Sequence, residues 1–236
     1  MLELSSVNTY YGKSHVLFDI SMNIEKGEIV GLLGRNGVGK TTTLRTIIGL
    51  TPPASGSIRF NGGEMARKKP HEVAMAGIGF VPEERCIFPN LTVHQNLLMG
   101  IKPGHYGKPA QGTWDMDRCY RNFPMLKLRH RQRGGTLSGG EMQILTIARS
   151  LMGNPELIMI DEPTEGLSPL MVAEVSKVIR EIRESGTTIL LVEQKLPLVL
   201  SLARRVYVMS KGVIQWEGTP GELRQREDVC KRYLEV

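Results

Sequence analysis

One run of eight residues constrains this chain more than any other. Gly34-Arg35-Asn36-Gly37-Val38-Gly39-Lys40-Thr41, followed by Thr42, satisfies the pattern GxxxxGK[ST]. It lies between a short apolar stretch, Ile29-Val30-Gly31-Leu32-Leu33, and a helical pattern that starts near Lys40. Strand, glycine-rich turn and helix, in that order, is the setting in which such a loop holds phosphate. Glycines let backbone N–H groups wrap an anion, and the helix N-terminus adds partial positive charge. Lys40 can reach terminal phosphates, and the Thr41 hydroxyl can ligate Mg²⁺. The ordinary alternative is a glycine turn with a solvated lysine, but a match this long arises by chance in roughly one such chain in a hundred.

The surrounding pattern predicts an α/β fold. Leu2 to Glu28 alternates around Val7, Val16, Phe18, Ile20, Met22 and Ile24, which reads as antiparallel strands. Leu157 to Ile160 and Thr188 to Val192 are continuous apolar runs, as expected of strands covered on both faces. Helices are predicted from Ser138 through Met152, with Glu141 completing a capping box, and from Ser168-Pro169 to Ser185-Gly186. In the second, Val175, Val178, Ile179 and Ile182 share one face. Residues 206–217 read as a hairpin turning at Lys211-Gly212. Strands alternating with helices imply a mainly parallel, helix-flanked sheet. Between Pro82 and Gly135 the character changes: a helix near Val93 to Met99, a Pro/Gly-rich stretch from Lys102 to Gly112, and a helix from Met116 to Phe123. This reads as a helical subdomain, residues 86–134, inserted in a core made of 1–85 and 135–236, the whole forming one domain.

Composition narrows the class. With 236 residues, 41% hydrophobic and 23% charged, the chain suits one globular core rather than a disordered or fibrous chain. No apolar run nears the roughly 20 residues needed to cross a bilayer, and the N-terminus lacks a signal-peptide pattern; a cytoplasmic location is expected. Cys86, Cys119 and Cys230 are scattered and form no CxxC pair, which fits a reducing compartment rather than a disulfide or zinc framework. The net charge of +6 comes from dispersed basic residues and is at most a hint of a membrane surface. Met142, Met152 and Met159 fall in core-facing elements, where methionine is an apolar filler rather than a metal ligand.

Asp161-Glu162 ends the apolar run at 157–160. That places two carboxylates at the carboxyl edge of the sheet, where open α/β folds bind their ligands. With a phosphate loop nearby, Asp161 would hold Mg²⁺ through water and Glu162 would polarise the attacking water.

Leu137-Ser138-Gly139-Gly140-Glu141-Met142-Gln143 follows the phosphate loop by about a hundred residues and precedes Asp161-Glu162. With these three motifs in this order the chain resembles the nucleotide-binding subunits of ABC transporters, over essentially its whole length. The resemblance implies ATP and Mg²⁺ as ligands, with Glu162, Gln194 and Lys40 as catalytic residues. Tyr11 would stack on adenine. Ser138 and the N–H groups of Gly139 and Gly140 at a helix start make a second anion site, which in the family closes over ATP held by the opposite subunit of a head-to-tail dimer, homodimeric or paired with a homologous ATPase. Transmembrane permease subunits would be the partners, with the chain peripheral on the inner face of the cell membrane.

Three positions depart from the common pattern. Glu83 stands where most members have a glutamine that senses Mg²⁺, Gln194 where a histidine is usual, and Ser168 where an aspartate is usual. Glutamine can hydrogen-bond a γ-phosphate but cannot carry histidine's charge or proton. The runs VPE, DEPTEGLSP and LLVEQ resemble ATPases of branched-chain amino acid importers and of the related urea and short-chain amide importers. Two other ABC readings compete. A lipid or lipopolysaccharide extractor has much the same cassette. A nucleic-acid or ribosome-associated ATPase would need coiled coils or fused cassettes, and the sequence has neither heptads nor repeats; the cluster at 129–133 reads as a solvated loop, and no nucleic acid is expected.

Overall fold

A computed structural model describes residues 1–102 and 113–234; the Pro/Gly-rich stretch therefore lies almost entirely outside the described residues. The chain runs β1 (Leu2–Tyr11), β2 (Ser14–Ile24), β3 (Ile29–Leu33), α1 (Lys40–Ile47), β4 (Ser55–Phe60) and β5 (Gly63–Glu64). Then come α2 (Pro70–Ala76), β6 (Ile78–Val81), α3 (Val93–Leu98), α4 (Met116–Asn122), α5 (Pro124–Leu128) and α6 (Gly139–Leu151). The last part is β7 (Leu157–Asp161), α7 (Pro169–Glu184), β8 (Thr188–Glu193), α8 (Leu196–Leu202), β9 (Arg205–Ser210), β10 (Val213–Gly218), α9 (Pro220–Gln225) and α10 (Glu227–Tyr233).

Two sheets form. An antiparallel one has the order β2-β1-β4-β5, and a six-stranded one has the order β10-β9-β3-β8-β7-β6. The larger is parallel throughout except for the β9–β10 hairpin. Strands β3, β7 and β8 are buried at every residue, because alternate side chains serve two different cores. Ile29, Leu33, Ile160 and Leu191 face the cluster built with α6, α7 and α8. Val30, Leu32, Met159 and Leu190 face the other, built with α1 and the antiparallel sheet. The expected face of α7 is the buried one, with Val175, Val178, Ile179 and Ile182 all inside.

The helical segment holds its own start signals. Thr92 caps α3 in a capping box with Gln95, and the Asp115 side chain caps α4. Its apolar residues Val93, Leu97, Cys119, Phe123 and Leu126 are contiguous with the core under α6 and α7.

One expectation fails locally. Phe18 is 39% exposed while Leu17 is fully buried. Irregularities in the β1–β2 register, together with Asp19 in the left-handed region, shift the alternation by one residue, and a one-residue shift exchanges the faces. Phe18 instead packs its ring against His15, centroids 3.9 Å apart.

Candidate nucleotide site

The carboxyl ends of β3, β7 and β8 point to one edge of the sheet, since the three strands are parallel neighbours. The loop from Gly34 to Gly39 leaves β3 there and leads into α1. A Cβ at Gly34 would stand 2.5 Å from the Met209 carbonyl oxygen, and Gly39 has φ +112° with Leu17 close by; both positions therefore require glycine. The Lys40 ammonium folds back over the loop, donating to the carbonyls of Gly34 at 2.8 Å and Arg35 at 2.9 Å. It also pairs with Glu162 Oε1 at 3.0 Å, both side chains being buried.

Glu162 is held from three directions. Its backbone N–H donates to the Val192 carbonyl at 3.0 Å, Lys40 takes one carboxylate oxygen, and the Gln194 amide donates to the other, Oε2, at 2.5 Å. Its φ of +40° is uncommon for a residue with a side chain and is the kind of strain that collects at functional sites. Asp161, next to it, is 1% exposed, and no hydrogen bond satisfies either of its carboxylate oxygens. Burial pushes its carboxyl up to about 6; Glu162 and Glu83 add to the shift, while the neighbouring Thr41 hydroxyl and Lys40 offset part of it. Glu83 is likewise raised, first by burial and then by Glu162, Glu84 and Glu165.

A cleft of about 310 Å³ lies between these groups, lined by Val16, Asn36, Gly37, Lys40, Thr41, Thr42, Glu83 and Glu162. The structure thus brings the phosphate loop, Glu83, Asp161, Glu162 and Gln194 together. Tyr11 stands at the end of β1, 44% exposed. Burial alone would raise its phenol, but hydrogen bonding with Thr51 and Thr42 and the charge of Arg45 lower it; the ring therefore sits beside the helix that follows the loop. Oxygen donors from Thr41, Asp161 and Glu83 suit a hard divalent cation, and the two unbonded oxygens of Asp161 are where such an ion would be satisfied. Among the described residues no group of three or more His, Cys, Asp and Glu side chains could hold a metal by itself.

The segment Leu137 to Glu141 stands apart from this cleft. Ser138 caps α6: its hydroxyl accepts the Glu141 N–H at 3.4 Å, and its own N–H donates to Glu141 Oε2 at 2.8 Å. The second oxygen of Glu141 is paired with Arg129 at 2.8 Å. Ser138 and Glu141 border a different cavity, of about 470 Å³, with Met125, Leu128 and Met171. Ser168 caps α7 through the Met171 N–H at 3.4 Å, a task an aspartate performs equally well.

Sequence reasoning missed Glu193, Thr164 and Arg85. Arg85 donates to the Glu165 carbonyl at 2.9 Å, and its guanidinium lies against Gly139, joining the loop after β6 to the start of α6. For Glu193 a signal existed: an acid closing a continuous apolar strand immediately before Gln194.

The glycine-rich loop, the paired acids at the strand edge and the capped helix at Ser138 together define a P-loop nucleotide-binding cassette. Residues 17–165 match the model of the ABC transporter family. The chain is 42% identical over 234 residues, 99% of both chains, to a high-affinity branched-chain amino acid transport ATP-binding protein, BraG, of Pseudomonas aeruginosa. It is 35% identical to the lipopolysaccharide export ATP-binding protein LptB of Escherichia coli, over 95% of this chain and 92% of that one. A crystal structure of the ADP conformation of MJ1267, an ATP-binding cassette of an ABC transporter, superposes with a TM-score of 0.82 at 26% identity, covering 98% and 97% of the two chains. The chain belongs to the ABC transporter family and is an ATPase subunit of that class.

Proposed function

We propose that this chain powers a membrane importer of branched-chain amino acids by hydrolysing ATP within a head-to-tail dimer. The observation that carries the ATPase chemistry is the junction of Lys40, Glu162 and Gln194 beside the unsatisfied Asp161. Lys40 leaves its carbonyl partners for the terminal phosphates, and Glu162, released from the ammonium, accepts the proton of the attacking water. Gln194 orients Glu162 and donates to the γ-phosphate through the same amide. Thr41 and Asp161, with Glu83, would hold Mg²⁺, which would neutralise phosphate charge when bound. Tyr11 supports the adenine. Gly139, Gly140 and the Ser138 hydroxyl close over ATP on the opposite subunit.

The substrate class rests on the full-length 42% identity to BraG; a urea or short-chain amide importer remains the neighbouring reading. Lipopolysaccharide extraction is the second reading, supported by the full-length likeness to LptB, and the membrane partner decides between them. Among the described residues no helix is long and apolar enough to cross a membrane; in this reading permease subunits supply the membrane path. A cavity of about 450 Å³ lined by Ile48, Phe80, Phe88, Met99 and Arg149 supports a docking place for them. Phe88 and Met99 at its rim are 44% and 58% exposed, an apolar surface that a permease helix would cover.

The test is steady-state ATP hydrolysis by the purified chain and by Glu162→Gln, with ATP-dependent dimerisation followed by light scattering. Turnover in the wild type, and an inactive variant trapped as an ATP dimer, supports the reading. A variant as fast as wild type removes Glu162 as the base.

A further inference from the structure

A buried acid that this chemistry does not use stands at the end of β8. Glu193 is 2% exposed, and its carboxylate is fully engaged at the catalytic edge. Oε2 accepts the backbone N–H of Gln194 at 2.9 Å and that of Lys195 at 3.1 Å. Oε1 accepts the hydroxyl of Thr164, itself fully buried two residues after Glu162. Lys195 closes the ring by donating its ammonium to the Thr164 carbonyl at 2.8 Å. One side chain therefore clamps the turn after β7 to the turn after β8.

The clamp ends where the chemistry begins. Gln194, whose backbone it fixes, bonds the Glu162 carboxylate through its side chain. Glu162 has a left-handed backbone, a conformation that lasts only where the surroundings over-determine it. A carboxylate suits the clamp because its four lone-pair sites accept several donors at once, and a buried charge is tolerated only when so satisfied.

We infer that Glu193 is a positioning residue for ATP hydrolysis: through Gln194 and Thr164 it holds the Glu162 carboxylate in the orientation from which it addresses the attacking water. This rests on reading Glu162 as the base. A purely structural acid would affect folding alone, so the experiment separates the two.

Single-turnover ATP hydrolysis and equilibrium ATP binding are measured for wild type, Glu193→Ala, Glu193→Gln, Gln194→Ala and the Glu193→Ala/Gln194→Ala double variant. Rates are expressed per nucleotide-binding site, and Glu162→Gln serves as the reference. Glu193→Ala is expected to lose on the order of tenfold or more in rate while its ATP affinity stays within about twofold. Glu193→Gln keeps an oxygen for the two N–H groups and an amide for the Thr164 hydroxyl, and should return to within about threefold of wild type. In the double variant the Glu193 change should add little, because its hold on Glu162 ends in the Gln194–Glu162 bond, which Gln194→Ala already removes. Multiplying losses in the double variant overturn the proposal. So does a Glu193→Ala rate per site equal to wild type, or a Glu193→Gln variant as slow as the alanine. If Glu193→Ala does not fold, Thr164→Val removes the hydroxyl from the same clamp, and an unchanged rate there is equally decisive against it. Should Glu162→Gln hydrolyse like wild type, the base assignment fails, and that outcome is distinct from failure of the clamp.

Discussion

Asp161 shows how a single side chain sets a pH window. Its carboxyl is pushed up to about 6 from an ordinary carboxylate value near 3.9. A raised carboxyl binds its proton more tightly in the folded chain than in the unfolded one, so this group's contribution to stability falls as pH rises through that interval. Metal affinity runs the opposite way, since a ligand must be deprotonated. We expect the Mg²⁺ dependence of ATP binding to weaken on going from pH 7.5 to 5.5, measured by nucleotide titration with and without Mg²⁺, and Asp161→Asn to remove most of the difference. Lys40 acts by both position and charge. Lys40→Ala withdraws the cation from the loop and leaves Glu162 without its ion pair, so ATP affinity should fall more than about tenfold in the same titration.

The elements respond to different substitutions. Helix α6 begins with reciprocal Ser138 and Glu141 bonds, and an N-cap serine replaced by alanine costs about 1 kcal/mol. Ser138→Ala should lower the melting temperature by about 2–4 °C in a chain of this size, read by thermal denaturation of the isolated chain. The same change should weaken ATP-driven dimerisation by more than that stability loss accounts for. Helix α7 carries no proposed ligand on its buried face, where Ile179 is fully enclosed. Ile179→Ala should cost about 2–5 kcal/mol through the cavity it leaves, with hydrolysis per folded molecule unchanged.

At the scale of the whole molecule, the loop around Lys40 and the segment at Ser138 border separate cavities. On the proposed function, a second copy or a homologous cassette would bring them onto one ATP. On the same proposal, the groove at Phe88 and Met99 would take a different partner, the permease. Phe88→Asp should leave ATP hydrolysis by the isolated chain intact and abolish its stimulation by reconstituted permease, compared in proteoliposomes.

Sequence by itself determined the phosphate loop, the strand that ends in Asp161-Glu162, the helix at Ser138 and the buried face of α7. Each depends on contacts within a few residues, where propensity, capping and periodicity agree. Only the tertiary structure decided that Glu193 clamps two turns, that Gln194 and Lys40 share the Glu162 carboxylate, and that Arg85 reaches Gly139. The displacement of Phe18 by Leu17 belongs to the same class, since strand irregularities depend on the partner strand. These are meetings of residues far apart in the chain, fixed by the parallel order of β7, β8 and β3, and local pattern carries no information about which distant ends will become neighbours.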